Sequence, residues 1–209
     1  MDADHYFSSQ PSTPLKRRPL QVVLAGERRT LQTGGGIFSP DGVDKGTAIL
    51  LADAPPPSPT GNLLDIGCGW GPIALTLALR SPEATVYAVD VNERSIELTR
   101  DNATALGLGN VRVSTPDDVD PAVRFTTIWS NPPIRVGKAE LHAILLTWLP
   151  RLAEGGNAYL VVQKNLGSDS LQRWLGVELA ERFPEAGFEV SRDSTSKAFR
   201  ILRVTRTKP

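Results

Sequence analysis

Two short runs carry residue types whose order suits chemistry: Asn131-Pro132-Pro133-Ile134, and Asp65-Ile66-Gly67-Cys68-Gly69-Trp70-Gly71-Pro72. In the first, consecutive prolines fix the backbone and remove two N–H donors. The Pro132 carbonyl and the Asn131 side-chain oxygen then form a pair of acceptors suited to a planar NH₂ group. With both amino hydrogens held, the nitrogen lone pair is less committed to its conjugated system and can be aimed at an electrophilic carbon. That is positioning and electrostatics, with no strong base required. A turn that merely uses Pro-Pro would not need the asparagine.

In the second run, apolar residues around Asp65 read as a buried strand, and glycines at every second position turn it into a helix opened by Pro72. Glycine suits such a turn because the backbone enters angles that side chains forbid, and because a ligand lying on the loop leaves no room for a Cβ. Pro72 is tolerated at a first helical position, where its missing N–H would be unpaired anyway. The dinucleotide fingerprint G-x-G-x-x-G/A asks for a small residue where this chain has Pro72, which disfavours a nicotinamide dehydrogenase.

The elements that must position these runs follow from periodicity. From Asn62 onward strand and helix patterns alternate, the mark of a parallel sheet covered on both faces. Further strands are expected at 84–89, 110–113, 126–129, 158–162, 187–190 and 199–204, the last two close enough to pair antiparallel. One helix runs from Pro72 to Ser81-Pro82, and another from Asn92 and Glu93 to near Gly107. A third places Leu141, Ile144, Leu145, Trp148, Leu149 and Leu152 on one face, and a fourth carries Leu171, Trp174, Leu175, Leu179 and Phe183 up to Pro184. Ligands in such sheets sit beyond the carboxyl ends of the strands. Asp65, Asp90 and Asn131 stand at three such ends. Asp90 is placed to accept two ribose hydroxyls, and Asp117, in the acidic run 117–120, to accept from an adenine amino group; a solvated strand end and a surface loop are the plain alternatives.

Upstream, residues 1–19 are rich in Pro, Ser and Thr and read as an extended lead. Residues 20–24 and 28–33 flank Ala25-Gly26-Glu27 as a hairpin, and Asp44 is placed to cap a helix carrying Ile49, Leu50 and Leu51. Pro55-Pro56-Pro57-Ser58-Pro59 is a stiff connector. The expected division is a 1–60 extension packed on a 61–209 catalytic domain.

Composition is that of an ordinary soluble globule, and the lone Cys68 excludes an internal disulfide and fits a reducing compartment. No run has the length of a signal peptide or membrane span, so a cytoplasmic protein is expected. Two histidines and one cysteine give no metal-ligand spacing, and His142 reads as a surface or satisfied residue. Net charge is zero, but residues 191–209 carry six basic residues against one acidic. Arg192, Lys197, Arg200, Arg203, Arg206 and Lys208 form a candidate basic strip, with Lys16-Arg17-Arg18 a second patch; a solvated edge strand is the other reading.

Asp65-x-Gly67-Cys68-Gly69-x-Gly71 resembles motif I of the class I S-adenosylmethionine-dependent methyltransferases, and Asn131-Pro132-Pro133-Ile134 resembles the (Asn/Asp)-Pro-Pro-(aromatic) motif of those acting on amino groups. Taken with Arg135-x-Gly137-Lys138, Gly36-x-Phe38-Ser39 and Val43-Asp44-Lys45-Gly46-Thr47, the chain is similar to the small-domain methyltransferases related to the 16S ribosomal RNA guanine-N2 enzyme. The resemblance implies a Rossmann-like α/β fold with a seven-stranded, mostly parallel sheet of order 3-2-1-4-5-7-6, the seventh strand antiparallel, here behind a short N-terminal hairpin. It implies S-adenosylmethionine as cofactor, held by Lys45, Gly46, Thr47, Asp65, Gly67, Cys68, Gly69, Gly71, Asp90, Val91, Asp117 and Asn131. Catalysis falls to Asn131, Pro132, Pro133 and Ile134, and acceptor contacts to Phe38, Arg135 and Lys138. Two departures stand out: Ile134 replaces the aromatic residue, and the guanine-N2 enzymes have an additional N-terminal half. The expected activity is N-methylation of an exocyclic amino group, foremost guanine N2 of ribosomal RNA, with RNA as partner and no metal. A protein glutamine methyltransferase and a non-catalytic RNA-binding protein of the same fold are the alternatives.

Overall fold

Alternation of exposed and buried side chains along Arg17–Leu24 makes β1 a half-buried strand, with Leu20, Val22 and Leu24 inward. It pairs antiparallel with β2 (Glu27–Gly34) through a two-residue turn in which Ala25 and Gly26 both have positive φ. The computed structural model describes residues 15–208. His5 and most of the expected extended lead lie outside the described residues.

The main sheet contains β3 (Asn62–Ile66), β4 (Thr85–Val89), β5 (Val111–Ser114), β6 (Phe125–Ser130), β7 (Leu152–Gln163), β8 (Phe188–Ser196) and β9 (Phe199–Arg206). Their spatial order is β5-β4-β3-β6-β7-β9-β8, with β9 antiparallel to both neighbours and the other core pairings parallel. This is the expected seven-stranded, Rossmann-like arrangement, behind a two-stranded N-terminal hairpin.

Both faces of the sheet are covered, as its apolar strands require. On one side α4 (Lys138–Trp148) and α5 (Ser168–Arg182) bury Leu145, Trp148, Leu175 and Leu179 against Leu64, Ile128 and Leu160. On the other, α1 (Lys45–Asp53) and α2 (Pro72–Arg80) bury Leu50, Ile73 and Leu77 against Leu63, Trp129 and Val161. The hairpin packs on α3 (Glu93–Ala105), where Leu24 and Leu31 meet Trp70 and Leu98. The buried Asn102 amide fastens it: Oδ1 accepts from Gln32 N at 2.7 Å, while Nδ2 donates to the carbonyls of Gln32 and Trp70, each at 2.9 Å.

Three expectations are corrected. Leu152 opens β7 instead of sharing the face of α4, because Pro150 ends that helix and a single 3₁₀ turn at Leu149–Arg151 redirects the chain. Phe183 falls one residue beyond α5, where Pro184 stops it. The candidate basic patches are also partly neutralised: Arg200 is buried, hydrogen-bonds Ser168 and pairs with Asp169, which Arg192 also reaches. Arg17 pairs with Glu97 and Asp101, and Arg18 with Asp41.

Among the described residues no helix is long and apolar enough to cross a membrane. No group of three or more His, Cys, Asp or Glu side chains among them is placed to hold a metal ion.

Candidate active site

The turn after β3 is satisfied internally. The N–H groups of Gly67 and Cys68 donate to Val89 O at 2.9 and 3.0 Å, and Gly71 N donates to Cys68 O at 2.8 Å. Gly69 is held at both ends of its backbone: its N–H donates to Asp90 Oδ2 at 2.9 Å, and its carbonyl accepts from Thr99 Oγ1 at 2.9 Å. Gly67, Gly69 and Gly71 adopt φ of +79°, +58° and +101°. Their surroundings differ. A Cβ on Gly71 would press on Leu75 and Thr99 at 3.1–3.2 Å, whereas one on Gly67 or Gly69 would meet no protein atom within 4 Å. Gly71 is glycine for packing; the other two leave free space on the side of a cavity they both line.

That cavity measures about 750 Å³, within the range of small-molecule sites. It lies over the carboxyl ends of the strands, where this topology places ligands. Of the residues expected from sequence, Phe38, Gly67, Gly69, Asp90, Val91 and Asp117 line it. So do Asn131, Pro132, Pro133, Ile134 and Arg135. Thr47 and Cys68 border an adjoining recess of about 30 Å³ that shares Phe38, Gly67 and Asn131. Lys45, Gly46, Asp65, Gly71 and Lys138 are outside both linings.

Asp65 lies beneath the turn. It is fully buried, and its Oδ2 accepts from Ala74 N at 2.9 Å, tying β3 to the start of α2. Among the described residues its Oδ1 has no hydrogen-bond partner. Burial therefore holds the Asp65 carboxyl well above the usual carboxylate range, against the opposing Ala74 N–H. Burial also raises Asp90, offset by the N–H groups of Asn92 and Gly69. The Cys68 thiol is pushed well up, chiefly by burial and then by Asp90, which makes it a poor nucleophile. His142 stacks on Trp174 with ring centroids 3.3 Å apart, away from the lining.

Asn131 follows β6 and is oriented by a contact that sequence reading missed. Asp44, the N-cap of α1, accepts from Gly46 N and Thr47 N at 3.0 and 3.1 Å, as its type and position predict. The same Oδ2 also accepts from Asn131 Nδ2 at 2.6 Å, and Thr47 Oγ1 lies 3.1 Å from that nitrogen. An ionised carboxylate can only accept, so the amide must turn its NH₂ toward Asp44 and its oxygen away. That oxygen receives no hydrogen bond among the described residues, and it is not a sealed, buried atom. The Asp44 cap was legible locally; its partner 87 residues away was not.

The two prolines remove their own N–H donors, but the Pro132 carbonyl still finds the next one: it accepts from Ile134 N at 2.8 Å across Pro133, whose φ of −76° and ψ of 73° make an inverse γ-turn. The turn fixes the carbonyl's direction and leaves its second lone pair. Gln163 at the end of β7, Leu166 just after it and Phe199 at the start of β9, on the two strands that follow β6 in the sheet, complete this end of the cavity. No local pattern in the sequence marks them.

The comparisons with known proteins concern the family and the fold. Over 204 residues the chain is 34% identical to the uncharacterized protein YbxB of Bacillus subtilis (strain 168), covering 96% of this chain and 98% of that protein. Over 121 residues it is 37% identical to ribosomal RNA small subunit methyltransferase C of Pseudomonas syringae pv. syringae (strain B728a), covering 57% of this chain but 36% of that protein. Its fold is similar to that of the T. thermophilus 16S rRNA N2 methyltransferase RsmC, solved with AdoMet and guanosine, at a TM-score of 0.72 and 23% identity. That match covers 94% of this chain and 52% of the other. The chain thus spans nearly all of the Bacillus relative and about half or less of the two ribosomal RNA enzymes. Residues 28–194 match the methyltransferase small domain, a family to which this chain belongs.

Proposed function

We propose that the protein transfers the methyl group of S-adenosylmethionine to an exocyclic amino nitrogen, and that the acceptor is guanine N2 of ribosomal RNA. The carrying observation is the pinned amide of Asn131: Asp44 and Thr47 hold its NH₂, leaving Oδ1 to accept from the substrate. The RNA enzymes among its relatives support the choice of acceptor, and the cytoplasm is where such a substrate is met.

The residues present fit the donor. Gly67 and Gly69 leave the space that its methionine half needs, Asp90 presents to the cavity a carboxylate that can meet its ribose hydroxyls, and Val91 and Asp117 offer an apolar face and an acceptor to its adenine. When bound, the sulfonium supplies an electrophilic methyl carbon and leaves as a neutral thioether. Asn131 Oδ1 and the Pro132 carbonyl take one amino hydrogen each, orient the nitrogen lone pair, and hold the proton that must be lost until water removes it. Ile134 gives the acceptor base apolar contact without aromatic stacking, and the half-exposed Phe38 supplies an aromatic face from another segment.

Mapping methylated nucleotides in total RNA from cells with and without the protein tests the reading. One guanine position should lose its N2 methyl group in the deleted strain. Label transferred from the donor to a protease-sensitive fraction instead would select the glutamine-amide acceptor.

A further inference from the structure

Charge is unevenly divided around the cavity mouth. The 3₁₀ turn Pro116–Asp118 after β5 carries Asp117, a lining residue, and Asp118. Across the mouth, exposed cations come from three separate connections. Arg135 lines the cavity, and Lys138 opens α4 three residues later. Lys164 follows the lining residue Gln163 at the end of β7. Lys197 sits in the β8–β9 turn, brought to the same end because Gln163 pairs with Phe199 and Lys164 N donates to Ala198 O at 2.7 Å. Among the described residues none of the four makes an ion pair. Of the carboxylates on this side, Asp169 is taken by Arg192 and Arg200, and Asp44 is engaged by Gly46 N, Thr47 N and Asn131 Nδ2, while Glu140 also lines the cavity.

Lys197 adds a second observation. Its φ is +53°, in a two-residue hairpin turn where glycine or asparagine is the relaxed choice. A lysine there places a flexible cation at the mouth at the cost of backbone strain.

We propose that Arg135, Lys138, Lys164 and Lys197 form a phosphate-binding rim for single-stranded RNA on the acceptor side of the cavity. The proposal rests on the reading of the acceptor as an RNA base. A base entering this cavity must leave its stack, and its flanking phosphates then lie at the mouth, where flexible lysines act as point charges. The acidic opposite flank steers the strand to this side.

The test uses the exposed positions Lys164 and Lys197, neither of which lines the cavity. Binding of a fluorescent single-stranded RNA oligonucleotide is measured against salt, without donor or turnover, for the wild type and for the Lys164→Ala/Lys197→Gly double variant. The variant should bind about 10-fold more weakly at low salt, with the slope of log K against log salt smaller by about one to two. Lys197→Gly alone should also raise Tm, separating a functional role from a structural one. Unchanged RNA affinity in the double variant, or equal wild-type affinity for polyglutamate, overturns the rim. RNA bound through the rim but never methylated sustains the rim and overturns the proposed reaction. RNA methylated with unchanged KM by the double variant does the reverse.

Discussion

Asp44 Oδ2 lies 2.6 Å from Asn131 Nδ2, joining the cap of the first helix to the residue that follows β6. One carboxylate oxygen thereby serves three donors and decides which face of the amide meets the substrate. Asp44→Asn keeps a competent cap but removes the group that can only accept, so both amide orientations become populated. Turnover should fall about 10-fold while Tm changes little. Asp44→Ala loses the cap as well and should cost a further ~1 kcal/mol of stability. Steady-state kinetics beside thermal melts separate the two effects.

Asn131→Ala removes the acceptor itself. Transfer should drop by about 10² to 10³, the usual cost of deleting one preorganised partner of a reacting group. Donor affinity, measured by calorimetry, should stay within about threefold, a change worth less than one kcal/mol. Loss of donor binding alone would mean that Asn131 serves the cofactor.

The glycines of the turn should fail in two different ways. Gly69→Ala meets no protein atom, so it should weaken donor binding at a modest stability cost of ~1 kcal/mol for its left-handed backbone. Gly71→Ala meets Leu75 and Thr99 as well, so overpacking should cost it an added ~1–3 kcal/mol of stability and lower its Tm further. Calorimetry with the donor and melting curves on both variants distinguish them.

Asp65 gives a pH-dependent expectation. Burial raises its pKa in the folded chain, so between the ordinary carboxylate range and the raised value the folded state binds more protons than the unfolded one. Stability attributable to this group is therefore greatest in acid and is lost as pH rises through that window. Asp65→Asn cannot ionise, so its Tm relative to the wild type should increase from pH 5 to pH 8. A constant difference would show that Asp65 does not titrate there.

The local parts of the site were legible because each is written in consecutive residues. The glycine turn, the Asn131-Pro132-Pro133-Ile134 run and the Asp44 cap all follow from backbone rules acting over a few positions. What joins them is not local. Nothing near Asn131 announces Asp44, and nothing near Asp169 announces that two arginines of the C-terminal hairpin will take it. The extended lower end of β7 was hidden for a similar reason. Leu152 continues a helical stripe by spacing; Pro150 ends the helix before it, and pairing with Phe125, which is tertiary, makes it strand.

The position of α1 governs how the chain can be cut. It supplies Asp44 and packs on β7 and β9, with Leu50 wholly enclosed. A fragment beginning at residue 61 would bare an oily strip over those strands and let the Asn131 amide spin. Trimming to residues 61–209 should therefore yield a sticky, inactive product, so a minimal working version must keep the first helix.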